Sequence, residues 1–380
     1  MMFFDPAMIE NPYPTYAHWQ SEHPIWRAAD TGHWVLTRHA DVRSVLKNSA
    51  NYSSSAMGGG DNPLPLLTDD PPKHTQLRKL VDRAFTMRML KLMERWVETL
   101  AEEMVSELPA DEPIDIVQAL TIPLPVAVIS KMMGIPSERA EDFKRWSDAL
   151  TGTLAGVSPE DRLQDILEMA DFFRSLIPER RANPGDDLVS AVVNAEIDGK
   201  RLTDQEIIGF NILLLIAGNE TTTNLLGNLF NSAADEPHVW TALAADPTLI
   251  NAAVEETLRF EAPVQFLMRK ARRPMRYHDQ EVAAGDNVTV VIAAANRDPA
   301  VYEHPDEFRL DRARNHHHAF GFGIHFCLGA PLARMEARLT LRALLARFSE
   351  LGRPVDPPGP DARLETLILR GFHHLWLELR

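Results

Sequence analysis

One cysteine serves the whole chain, Cys327, and it stands in the stretch FGFGIHFCLGAPLAR. A lone cysteine excludes an intrachain disulfide framework and a four-cysteine zinc site; it leaves a buried small hydrophobe, a nucleophile or a ligand. Downstream, Leu332, Met335, Leu339, Leu341, Leu344, Leu345 and Phe348 recur at close to helical spacing. Cys327 therefore sits just before a helix N-terminus, whose partial charge and free N–H groups favour a thiolate, the form that ligates iron. Gly321, Gly323 and Gly329 are expected to supply conformations that other residues resist and to let the backbone approach a large flat ligand. The spacing is not a dinucleotide fingerprint, because Phe326 stands where the third glycine would be.

Two other groupings carry chemistry. AGNETTT (217–223) interrupts an apolar segment with a carboxylate and hydroxyls. Asn219, Glu220 and Thr221 either face solvent there or line a buried cavity and handle protons. In ETLR, Glu256 and Arg259 share one helical face, and Arg312 in HPDEFRLDR is a candidate second arginine for a buried pair.

The elements that must position these residues are mostly helices. The longest begins at a capping box, Thr203 with Glu206, runs through AGNETTT with an expected bulge or local opening, and should stop before Pro237. Strand-like pieces occur near HWVLTRH, in VTVVIAAA and in LETLILRGFHHLWLEL, where Arg370-Gly371 could turn a hairpin. SSSAMGGGDNPLPLL reads as a loop, and its glycine run lacks the Lys-Ser or Lys-Thr of a phosphate-binding loop. The 380 residues are 45% hydrophobic and 24% charged, with no repeat, which fits a compact globular chain. A net charge of −15 argues against a general nucleic-acid binder. The N-terminus lacks signal-peptide features and no apolar run reaches membrane-spanning length, so the expected location is cytoplasmic.

FGFGIHFCLG resembles the F-G-x-G-x-H-x-C-x-G haem loop of cytochromes P450, AGNETT their A-G-x-[DE]-T-T, and ETLR their E-x-x-R. All occur in the family's order, the likeness covers essentially the whole chain, and it is to the bacterial type. It implies a mainly α fold with smaller β-sheets, the cytochrome P450 fold, as one haem domain over 1–380 without a fused reductase. By resemblance, Cys327 is the proximal ligand of haem b (iron protoporphyrin IX), and Phe320, Gly321 and Gly329 pack around the sulfur. His74, Arg78, Arg269 and His325 would hold the propionates. Glu220 and Thr221 would be the acid–alcohol pair that delivers protons to bound oxygen, and Glu256, Arg259 and Arg312 a structural network.

The same resemblance implies a monooxygenase that inserts one atom of O2 into a hydrophobic small molecule. Ferredoxin and its reductase would supply electrons from NAD(P)H, with Lys73, Lys79 and Arg83 as a candidate docking patch. Leu213, Ala217, Val264 and Leu267 are the expected pocket positions, with SSSAMGGGDNPLPLL as a lid and TGTLAGVSPEDRLQD on the wall. A peroxide-driven oxidase and a non-catalytic haem sensor or carrier are the alternatives. His316 to His318 are read as a solvated or partly haem-facing tract rather than a metal site.

Overall fold

The computed structural model describes residues 1–57, 64–82, 85, 87–151, 159–197 and 199–380. Six helices frame the site: α1 (Lys73–Asp82), α2 (Met87–Ser106), α3 (Ala140–Thr151), α4 (Asp204–Asp235), α5 (Ile250–Phe260) and α6 (Ala330–Arg347). Helix α4 crosses the interior, touching α3, α5, α6 and the helices Pro123–Met132 and Pro159–Ala182. Its apolar residues on every side, including Ile207, Phe210, Leu215, Leu225, Leu229 and Phe230, are buried in the largest core cluster. That all-round burial is why the helix lacks a polar stripe.

Both halves of the expected capping box form at Thr203 and Glu206, and the helix ends at Asp235, before Pro237. The expected bulge does not form: the segment 217–223 stays within an unbroken α-helix. Thr221 Oγ1 donates to the Ala217 carbonyl at 2.9 Å, so the hydroxyl joins the backbone ladder instead of breaking it. Gly218 serves close approach, since a Cβ there would lie 2.8 Å from Ile129 Cδ1 on the neighbouring helix.

Beside the helices lies a five-stranded sheet. Its members are β1 (Ile25–Arg27), β2 (Trp34–Leu36), β3 (Tyr52–Ser53), β4 (Phe266–Ala271) and β5 (Asn287–Val291), in the order β1-β2-β5-β4-β3. Only the β5 to β2 pairing is parallel. The strand expected through VTVVIAAA stops at Val291, and Ile292–Ala295 is a helical turn. No hairpin turns at Arg370-Gly371. Phe372–His374 pairs back with Ala362–Arg363, while Trp376–Leu379 joins Leu351–Gly352 and Pro113–Asp115. Arg370 is drawn inward instead, where Nε contacts Glu261 and the other nitrogens donate to the Ile9 and Glu10 carbonyls. A buried ion pair with two further bonds outweighs a local turn preference. No helix among the described residues is long and apolar enough to cross a membrane.

Candidate active site

The loop carrying Cys327 is fixed from both sides. The Cys327 N–H donates to the Phe320 carbonyl at 2.9 Å, and Gly321 N–H to His318 O at 2.7 Å. Gly323 has φ +78°, and a Cβ there would sit 2.7 Å from the Leu46 carbonyl. Gly323→Ala should therefore lower stability by about 1–3 kcal/mol through backbone strain alone; denaturant unfolding that matches the parent would refute this. Gly329 departs from expectation: its φ is −79° and a Cβ would lie 4.0 Å from Cys327 Sγ, an ordinary contact. The conformational argument holds at 321 and 323 but not at 329.

Helix α6 starts at Ala330, so Cys327 precedes it as expected. The N–H groups of Gly329 and Ala330 reach the sulfur and favour thiolate, yet desolvation by the surrounding protein pushes the free thiol up, although the side chain itself lies open at the surface. Helix-terminal charge alone does not make this a thiolate; a bound metal ion would. Phe320 lies under Arg334, whose guanidinium is 4.5 Å from the ring and forks onto Glu255 at 2.6 and 2.9 Å.

Four cationic or potentially cationic side chains gather beside this loop. The rings of His74 and His325 lie 4.1 Å apart, and His325 Nε2 is 2.9 Å from Ser54 Oγ. Arg78 donates to the Phe326 carbonyl at 2.7 Å, next to the cysteine, and pairs outward with Asp82. Arg269 is buried and donates to its neighbour Met268 O at 2.8 Å. Among the described residues no carboxylate pairs with Arg269, and neither ring nitrogen of buried His74 has a hydrogen-bond partner. Burial pushes Arg269 down to about 10. Burial, helped by His74, Arg269 and Arg78, pushes His325 down to about 3. Such a cluster calls for an anionic ligand with more than one carboxylate. The haem propionates fit it, and Cys327 beside it fits haem iron.

On α4, Glu220 is buried whereas its neighbour Thr221 is only partly so. This excludes the solvent-facing alternative for Asn219 and Glu220. Burial, with Asp148 nearby and Lys144 opposing, pushes Glu220 up to about 7. A carboxyl poised there can both hold and release a proton at neutral pH. Ala217 is exposed in the middle of this otherwise buried helix, and Leu213, Val264 and Leu267 are partly buried. Residues 58–63 of the expected lid and 152–158 of TGTLAGVSPEDRLQD lie outside the described residues.

Glu256, Arg259 and Arg312 come together. Arg259 forks onto Glu256 at 2.9 and 2.7 Å, and Arg312 Nε reaches Glu256 Oε1 at 2.9 Å. Sequence reasoning missed Asn315 Nδ2 and the Arg309 N–H, which complete the carboxylate at 3.2 and 2.9 Å. It also missed Ser54 on His325 and the Lys144, Ser147 and Asp148 group around Glu220. The spacing of Lys144 and Asp148 in FKRWSD was the available signal. Of the expected docking patch, Lys73 is tied to Glu206 and Asp69 at 3.1 and 3.5 Å, and Arg83 lies outside the described residues. Lys79 is exposed as expected. The histidine tract is not simply solvated. His317 contacts Glu255 at 3.2 Å, and buried His318 stacks on His39 with ring centroids 4.3 Å apart.

Comparison with known proteins agrees with this geometry. The family model for cytochrome P450 matches residues 160–370. The cytochrome P450 monooxygenase PikC of Streptomyces venezuelae is 38% identical over 386 residues, covering 95% of this chain and 91% of that one. The vitamin D(3) 25-hydroxylase of Pseudonocardia autotrophica is 36% identical over 389 residues, covering 98% and 94%. The structure of CYP109E1 from Bacillus megaterium in complex with corticosterone superposes with a TM-score of 0.88 at 35% identity, covering 98% and 99%. A haem-binding geometry, a P450 fold and full-length relatives named as monooxygenases and hydroxylases lead to one assignment: the chain belongs to the cytochrome P450 family and is a monooxygenase of the bacterial kind.

Proposed function

We propose that the protein holds haem b through Cys327 and hydroxylates a bulky hydrophobic molecule, with electrons from NAD(P)H through a ferredoxin reductase and a ferredoxin. The observation that carries the cofactor reading is the cluster His74, Arg78, Arg269 and His325, two arginines and two histidines with no protein carboxylate paired to buried Arg269 among the described residues, joined to the cysteine loop through Arg78 and Phe326 O. Bound haem supplies the activation of O2. The chain supplies the rest: Cys327 Sγ would hold the iron, the His74, Arg78, Arg269 and His325 cluster would hold the propionates, and Phe320 and Gly321 would pack beside the sulfur.

Thr221 holds its hydroxyl against the Ala217 carbonyl, and its partly exposed oxygen can orient a water. Glu220, buried behind it, restores the proton the water gives up. The relatives' named vitamin D(3) and the steroid in the superposed structure favour a polycyclic or similarly bulky apolar substrate, consistent with Leu213, Ala217, Val264 and Leu267. A cytoplasmic location supplies both NAD(P)H and a reduced thiol at Cys327.

Reconstitution with ferredoxin, reductase, NADPH and a panel of apolar compounds tests the reading. Thr221→Ala should cut product per NADPH about tenfold or more while NADPH oxidation continues into peroxide. Unchanged coupling would remove Thr221 from proton handling. Failure of every donor pair to reduce the protein, with turnover on peroxide alone, would favour the peroxide-driven alternative.

A further inference from the structure

Glu261 is shared by more arginines than it can satisfy. It takes Arg370 Nε, with Arg297 Nη2 at 3.6 Å and Arg363 Nη1 at 3.9 Å, and none of these four side chains is more than 13% exposed. Arg297 is completed by the Phe260 carbonyl and by Asp306 Oδ1 at 3.2 Å, and Arg370 by the carbonyls of Ile9 and Glu10. Arg363 is not completed. It lies over the Phe372 ring at 3.8 Å, and none of its N–H groups makes a hydrogen bond among the described residues, Nη1 being fully enclosed. Its 3.9 Å approach to Glu261 is beyond hydrogen-bond reach. Three guanidiniums thus face two carboxylates, and the one left over is Arg363. Buried Tyr13 stays a neutral phenol, and Glu10, the next carboxylate, is exposed and pairs with no guanidinium among the described residues.

A small pocket opens beside this guanidinium, and Ile9, Tyr16, Arg363, Thr366, Leu367 and Arg370 are among its lining. Tyr16 has given its proton to Gln265 Oε1 at 3.2 Å, whereas Thr366 Oγ1 accepts the Ile368 N–H at 3.3 Å and keeps its own proton to donate. The remaining wall is mostly apolar. We propose that this pocket is a binding site for a short-chain carboxylate, held by Arg363 with Thr366 as a second donor. One uncompensated buried cation calls for one negative charge, and a dianion would leave the opposite excess. The planar guanidinium matches the two oxygens of a carboxylate, and the apolar wall takes its alkyl end. Burial, with Arg370 adding repulsion, pushes Arg363 down to about 10, which agrees.

The site is independent of the monooxygenase reading, yet it adjoins the expected substrate wall. Residues 364–371 connect the paired strands Ala362–Arg363 and Phe372–His374. Within that connection Ile368 O accepts the Gln265 N–H at 2.9 Å, the Arg370 N–H donates to Pro263 O at 2.8 Å, and Leu369 bridges to Val264. An occupied pocket fastens the segment that brackets Val264.

Urea unfolding of the purified protein in sodium formate, acetate, propionate or chloride tests this, with sodium fluoride holding ionic strength, and hence screening, constant. The midpoint should rise saturably with each carboxylate, because a ligand of the native state stabilises it, and chloride should need a higher concentration. Arg363→Met keeps cover over Phe372 but no donor, and its half-effect should need about tenfold or more carboxylate. Arg363→Lys keeps the charge without the fork, so it folds with Glu261 still faced by a cation and should lose the preference for formate over chloride. The Soret band, recorded in the same titrations, should not move. A parent midpoint equal in formate and fluoride, or an equal formate response in parent and Arg363→Met, overturns the site. Chloride as effective as formate in the parent overturns the carboxylate assignment, and a Soret shift tracking the same titration puts the anion at the haem instead.

Discussion

Cys327→Ser is expected to abolish the red-shifted Soret band of the dithionite-reduced carbon monoxide complex and all donor-driven product formation, while helical content stays at the parent level. The fold should survive because the cysteine's structural contact is its backbone N–H to Phe320 O, which serine keeps. The added hydroxyl is close in size, and Gly329 leaves ordinary contact distance beside it. What disappears is the ligand: a serine hydroxyl stays protonated where a metal-bound thiol does not, and it lacks sulfur's electron donation. The cation cluster is untouched, so haem should still enter, more weakly, and give an ordinary haem–CO band. A variant with the parent's spectrum would refute Cys327 as ligand; a parent that takes up no haem while well folded would refute the cofactor reading altogether.

The chemistry was legible in the sequence where one residue type does one job at fixed local spacing. Cys327 before a helix start, Glu256 with Arg259, and the Thr203 cap are all local, and each stands where the spacing puts it. Expectations drawn from propensity alone fared worse. Gly218 and the threonines after it suggested an opening, but packing against Ile129 and the Thr221 bond to Ala217 O keep the helix whole. Arg370-Gly371 suggested a turn, yet Glu261, 109 residues away, takes the arginine. Long-range partners have no local signature. Ser54 on His325, Asn315 on Glu256 and α3 on Glu220 all join segments whose proximity only the fold decides. The same holds for thiol acidity. Helix position is written in sequence, but the opposing desolvation by surrounding protein is not, and it pushes the thiol up.

Glu256→Ala should destabilise the protein by about 3–5 kcal/mol, the range for removing one partner of a buried ion pair. Arg259 has no exposed surface and Arg312 is nearly as enclosed, so neither can recover water when the carboxylate goes. Against a total margin of about 5–15 kcal/mol, such a loss is a large share. The damage should reach the haem loop, because the network holds the segment leading into it. Arg259 donates to the carbonyls of Asn296, Pro305 and Glu307, Arg312 to those of Glu303, His304 and Glu307, and Glu256 itself takes Arg309 N–H and Asn315. Cys327 lies a dozen residues beyond Asn315. Glu256→Gln separates the two contributions. It keeps the shape and one acceptor oxygen but not the charge, so it should fall between parent and alanine in urea midpoint and in haem retained after purification. Because the group is buried, added salt should not rescue either variant, as it would not weaken the parent pair. An alanine variant within about 1 kcal/mol of the parent, the value of an exposed pair, would show that the network is not what anchors the loop.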